Sequence, residues 1–136
     1  MKTTKIVAIE GIGEVYSEKL KEAGLRTIEA LLEKGKTEKG REEIAEKTGI
    51  SGKLILEWVN HADLFRIKGV GPQYSDLLEA AGVDTVVELA TRNPENLTQK
   101  MAEVNAEKRL VRKLPVRSQV EVWVDQAKKL PRVISY

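Results

Sequence analysis

The chain has 136 residues, 41% of them hydrophobic and 32% charged, with a net charge of +2, no cysteine and a single histidine, His61. Disulfides, thiolate metal sites, a cysteine nucleophile and any multi-histidine metal centre are thereby excluded. No apolar stretch approaches the roughly 20 residues needed to span a bilayer. The length allows one compact domain or two very small ones. Abundant Ala, Leu, Glu and Lys, with only 4% aromatics, favour helix.

In chain order, the apolar run near the N-terminus is too short for a signal peptide. A cytoplasmic protein without membrane contact is expected. Lys5–Ile9 reads as a short strand. Gly11-Ile12-Gly13 then turns the chain into a helix on which Tyr16, Leu20 and Ala23 recur at i, i+4 and i+7. Gly24 stands where a helix C′ glycine belongs, and Thr27 is placed to cap the next short helix. A helix from about Lys39 to Thr48 ends at Gly49. Ser51 caps the next, whose apolar stripe is Leu54, Ile55, Trp58, Val59 and Ala62. Gly69-Val70-Gly71 is a second turn, with Pro72 suited to the first helical position. Tyr74, Leu78, Ala81, Gly82 and Thr85 follow in the same roles as before. A last helix carries Val120, Trp123, Val124, Ala127 and Leu130 and stops at Pro131. Arg132–Tyr136 is the other short strand expected.

These parallels are a repeat. Ile9–Leu32 aligns without a gap on Ile67–Ala90, with ten of 24 positions identical, among them Gly11/Gly69, Gly13/Gly71, Tyr16/Tyr74 and Thr27/Thr85. Trp58-Val59-Asn60-His61-Ala62 matches Trp123-Val124-Asp125-Gln126-Ala127, which leaves about seven extra residues in the second copy, within Asn105–Arg117. The chain therefore reads as two units, 1–66 and 67–136, expected to share one core. The extra segment carries Lys108, Arg109, Arg112, Lys113 and Arg117. Residues 98–136 have nine basic and four acidic side chains, against two and five in 67–97.

The Gly-x-Gly turns carry the functional expectation. Glycine accepts positive φ and lets a second backbone approach closely. The free N–H groups at the following helix start attract anions. Ile9-x-Gly11-Ile12-Gly13-x-x-Tyr16, followed by Leu20-x-x-Ala23-Gly24-Leu25-x-Thr27-Ile28, resembles the helix-hairpin-helix superfamily. The whole chain, through its Trp123–Tyr136 ending, is similar to an uncharacterised bacterial family of tandem helix-hairpin-helix proteins. The resemblance implies an all-α fold. It also implies sequence-independent DNA binding by the backbone amides of Gly11, Ile12, Gly13, Gly69, Val70 and Gly71. Glu10 and Glu14 flank the first turn and repel phosphate, whereas Lys68 flanks the second and attracts it.

Other motifs read more plainly. Ala45-x-x-x-Gly49 to Trp58 has helix-turn-helix spacing, but its outward residues, Gly52, Lys53, Leu56, Glu57 and Asn60, are poor base readers. Trp58 and Trp123 read as core, Tyr16 and Tyr74 as core with hydroxyls reaching a polar partner, and the charges of Lys19–Glu46 as a solvated face. No constellation supports an enzyme, a cofactor or a metal. The expectation is a non-enzymatic binder of double-stranded nucleic acid, using the second turn and the basic cluster. The alternative is a protein-interaction or self-assembly module.

Overall fold

A computed structural model describes residues 5–9 and 11–136. Among these residues the chain is all-α, with eight α-helices, one 3-10 turn (Ile6–Ala8) and no strand. The helices are α1 Gly13–Glu22, α2 Ile28–Gly35, α3 Glu38–Thr48, α4 Gly52–Leu64, α5 Pro72–Ala80, α6 Val86–Ala90, α7 Pro94–Lys108 and α8 Arg117–Lys129.

Local chemistry sets their ends. Thr27, Thr37, Thr85 and Asn93 each accept a hydrogen bond from the N–H three residues on, capping α2, α3, α6 and α7. Ser51 Oγ accepts from Lys53 N–H at 3.2 Å and caps α4. Helices α1 and α5 end alike. The N–H of Leu25 reaches Leu20 O, and that of Val83 reaches Leu78 O, both at 2.8 Å. These are the long bonds of a Schellman turn around Gly24 and Gly82.

The two segments expected as strands are not strands. Lys5 forms only an isolated antiparallel bridge with Thr27, and Ile6–Ala8 coils into the 3-10 turn. In Arg132–Tyr136 the N–H of Ser135 donates to Lys36 O at 2.8 Å. A ladder needs a run of paired backbone groups. Helical neighbours offer only the orphan carbonyls at their ends, and Lys36 is the C-cap of α2.

The chain divides into two compact units. The first comprises residues 1–63 and 133–136, and the second residues 64–132. The last four residues thus complete the first unit. In that unit Ile6, Ile9, Ile12, Leu20, Leu31, Ile44, Ile55, Trp58 and Val59 are buried. The core of the second gathers Leu64, Ile67, Val70, Leu77, Leu78, Val83, Leu89, Met101, Val120, Trp123 and Val124. Tyr16 and Trp58 pack tilted with ring centroids 5.2 Å apart, and Tyr74 and Trp123 do the same at 5.2 Å.

The tail is seated by a buried charge, although the alternating charges around it read as a solvated face. Arg41 is only 8% exposed. Its guanidinium donates to Gly35 O and to Ser135 O, each at 2.8 Å, and lies 5.8 Å from the Tyr136 ring centroid. Tyr136 OH donates to Asn60 Oδ1 at 3.2 Å, and Ile134 is buried. No helix among the described residues is long and apolar enough to cross a membrane.

Candidate nucleic-acid interface

The second turn is built from beneath by α8. Val70 N–H donates to Ile67 O at 3.1 Å, closing the turn, and the Val70 side chain is buried. Gly69 has φ +96°, a left-handed conformation. A Cβ placed on it would lie 3.0 Å from Trp123 Nε1, so the indole edge supports the turn directly. Gly71 is extended, at φ −101° and ψ −168°, and is the N-cap of α5 with Pro72 at the first position. The N–H groups of Gly69, Gly71 and Gln73 meet no acceptor among the described residues.

Lys68 precedes these amides and is exposed. Its main chain is held on both sides by one side chain. Gln126 Oε1 accepts from Lys68 N–H at 2.9 Å, and Gln126 Nε2 donates to Lys68 O at 3.1 Å. Sequence reasoning missed this role. The signal was the alignment of Gln126 with His61, which marks a position one helical turn beyond each tryptophan.

The first turn shares the left-handed first glycine and the closing bond but departs at its last glycine, since α1 begins at Gly13 with Ile12 as its N-cap. Ile12 N–H donates to Ile9 O at 3.3 Å and Ile12 is buried. Gly11 and Gly13 have φ +90° and +61°. A Cβ on Gly11 would lie 3.9 Å from Trp58 Nε1, ordinary contact. Glu14, exposed in the first turn of α1, places a carboxylate beside the helix start. Glu10 lies outside the described residues.

The basic cluster forms the connection from α7 to α8. Lys108 ends α7, and Arg109 caps it at φ +51°, the one non-glycine residue with positive φ among those described. Asn105 then grips the inserted loop. Its Oδ1 accepts from Val111 N–H at 3.0 Å and its Nδ2 donates to Val111 O at 3.1 Å. Val111 and Pro115 point inward, whereas Arg112, Lys113, Leu114 and Val116 are exposed. Arg117 opens α8 and is engaged by carboxylates, Glu121 at 3.0 Å and Glu95 at 3.8 Å. Tyr74, in the first turn of α5, donates from its hydroxyl to Lys113 O at 3.0 Å. The second turn and the basic loop therefore meet at the start of α5.

The remaining candidates fall away from that site. On α4, Leu56 lines a groove of about 360 Å³ with Tyr136, and Asn60 accepts from the Tyr136 hydroxyl. The tail thus occupies part of the face a recognition helix would need. His61 is buried, and no cluster among the described residues gathers three potential metal ligands. Trp58 and Trp123 are each 1% exposed, so neither can stack on a base. Lys129 pairs with Asp125 at 3.3 Å.

The model of a family described as a domain of unknown function, DUF4332, matches residues 10–130. No curated protein and no solved structure matches the chain.

Proposed function

The chain belongs to the DUF4332 family, and for this member we propose sequence-independent binding of double-stranded nucleic acid, without catalysis or cofactor. The reading treats the two Gly-x-Gly turns as helix-hairpin-helix elements of unequal strength and sets the protein in the cytoplasm. One observation carries it. The unengaged amides of Gly69, Gly71 and Gln73 and the exposed Lys68 share one turn, and Tyr74 ties the loop of Arg112 and Lys113 to the same helix start. Backbone N–H groups and cations together form the donor set that a phosphodiester needs, and nothing in it reads a base. The first turn contributes less, because the Glu14 carboxylate opposes phosphate there.

The test is affinity for a labelled duplex of about 20 base pairs across a salt series. Each neutralised phosphate contributes a slope of about −0.9 in log affinity against log salt. A unit charge beside a phosphate in screened surroundings is worth about 1 kcal/mol, or about fivefold. Lys68→Glu reverses that charge and should weaken binding by about twice that on a log scale. Parent-like binding by Lys68→Glu would remove the second turn from the interface.

A second reading, a protein-interaction module, draws on the exposed apolar side chains of Leu114, Val116 and Val122 beside the basic loop. Flat or absent duplex binding, together with a defined oligomer in light scattering, would favour it.

A further inference from the structure

The second turn owes its shape to α8 as much as to its own glycines. Lys68, Gly69 and their neighbours make one internal backbone bond across the turn, from Val70 N–H to Ile67 O. The buried Ile67 and Val70 side chains anchor it in the core, and two residues of α8 spaced i, i+3 on one face hold it from outside. Trp123 lies against Gly69, and Gln126 bonds both backbone groups of Lys68. A primary amide is suited to this task, because it presents one acceptor and one donor side by side. Without it, Lys68 would be free to rotate its peptide groups, and the Lys68 ammonium and the amides of Gly69 and Gly71 would no longer share a fixed direction.

We infer that Gln126 is the positioning residue of the phosphate-binding turn, fixing the Lys68 main chain so that the cation and the following amides address one anion. The inference rests on the binding reading above. Gln126 itself contacts no ligand. It acts by preorganisation, reducing the ordering that binding would otherwise require.

Two variants of the full chain separate positioning from charge. Gln126→Met removes both hydrogen bonds with nearly the same volume and no new charge. It should weaken duplex binding about fivefold or more while leaving the salt slope unchanged, since the number of neutralised phosphates is the same. Lys68→Glu, by contrast, should lower affinity and slope together. Gln126→Glu places two acceptors before Lys68 when ionised, and restores an acceptor–donor pair when protonated. Its affinity, divided by that of the parent at each pH, should therefore recover as pH falls through the carboxyl's titration. Gln126→Met should show no such recovery. The ionised carboxylate also repels phosphate, so the positioning role is read from Gln126→Met, which loses affinity with the parent's salt slope.

Amide hydrogen exchange of Lys68, measured without duplex, tests the clamp apart from the ligand. Exchange should be slow in the parent and at least about tenfold faster in Gln126→Met. Fast Lys68 exchange in the parent overturns the clamp. Parent-like affinity in Gln126→Met, while the parent binds and the clamp is confirmed by exchange, overturns the positioning role. Absence of binding by the parent overturns the nucleic-acid reading, and the role built on it, while leaving the exchange result intact.

Discussion

Replacing Gly69 and Gly11 by alanine measures how closely each turn sits on its tryptophan. Both glycines hold left-handed φ, +96° and +90°. A β-carbon in that conformation costs about 1–2 kcal/mol. The two sites then diverge. At Gly11 the new methyl would lie 3.9 Å from Trp58 Nε1, an ordinary contact. At Gly69 it would lie 3.0 Å from Trp123 Nε1, tighter than ordinary van der Waals contact, so the indole would have to give by a few tenths of an ångström. Trp123 is buried against the second core and has little room to retreat. Overpacking of this kind adds about 1–3 kcal/mol. Gly69→Ala should therefore lose about 2–5 kcal/mol, and Gly11→Ala about 1–2 kcal/mol. Urea unfolding followed by tryptophan fluorescence is the assay. Each unit carries one tryptophan, so the Gly69→Ala measurement is made in a Trp58→Phe background and the Gly11→Ala measurement in a Trp123→Phe background. Equal losses at the two sites would refute the account of the second turn as seated on the indole edge.

Trp58→Ala and Trp123→Ala should each destabilise by about 3–5 kcal/mol, as expected for a large buried aromatic, in chemical denaturation; a loss under about 1 kcal/mol would contradict the burial. Arg41→Met removes the cation from Gly35 O and Ser135 O and should cost about 2–4 kcal/mol, with faster hydrogen exchange at Ser135. The Glu43 carboxyl is held below its usual range by the Lys34 ammonium, which bonds it directly and attracts its charge. That contribution is complete above the ordinary carboxylate range and is lost as pH falls through the lowered value. Lys34→Met should accordingly raise the Glu43 titration toward its ordinary range by NMR, and any stability difference from the parent should vanish in acid.

Local signals were legible wherever the partner lay within a few residues. The caps by Thr27 and Thr85, the turns around Gly24 and Gly82, the buried Ile12 and Val70 and the stripe positions of the two tryptophans all follow from spacing on a helix or turn. The all-α class follows with them. What spacing cannot reveal is a bond across long sequence separation. Gln126 meets Lys68 from 58 residues away, and Arg41 meets Ser135 from 94. Arg41 sits among alternating charges, so its pattern is that of a solvated face, and only the arriving tail changes its environment. The same tail explains the mistaken strand. Val133 and Ile134 have β-favouring side chains, but their neighbours are helix ends rather than another extended segment. For the candidate site, the sequence identified the second turn and the basic loop separately. Their meeting through Tyr74 and Lys113 was not readable, because it depends on how Asn105 folds the insertion back.

The return of residues 133–136 to the first unit also sets an order of events during synthesis. A ribosome delivers all of residues 64–132 before it delivers the segment that completes the earlier-encoded unit. The usual expectation is that the N-terminal domain finishes first. Here the later-encoded unit has its whole complement of residues while Arg41 still awaits the Ser135 carbonyl. The first unit to begin emerging is therefore the last to close.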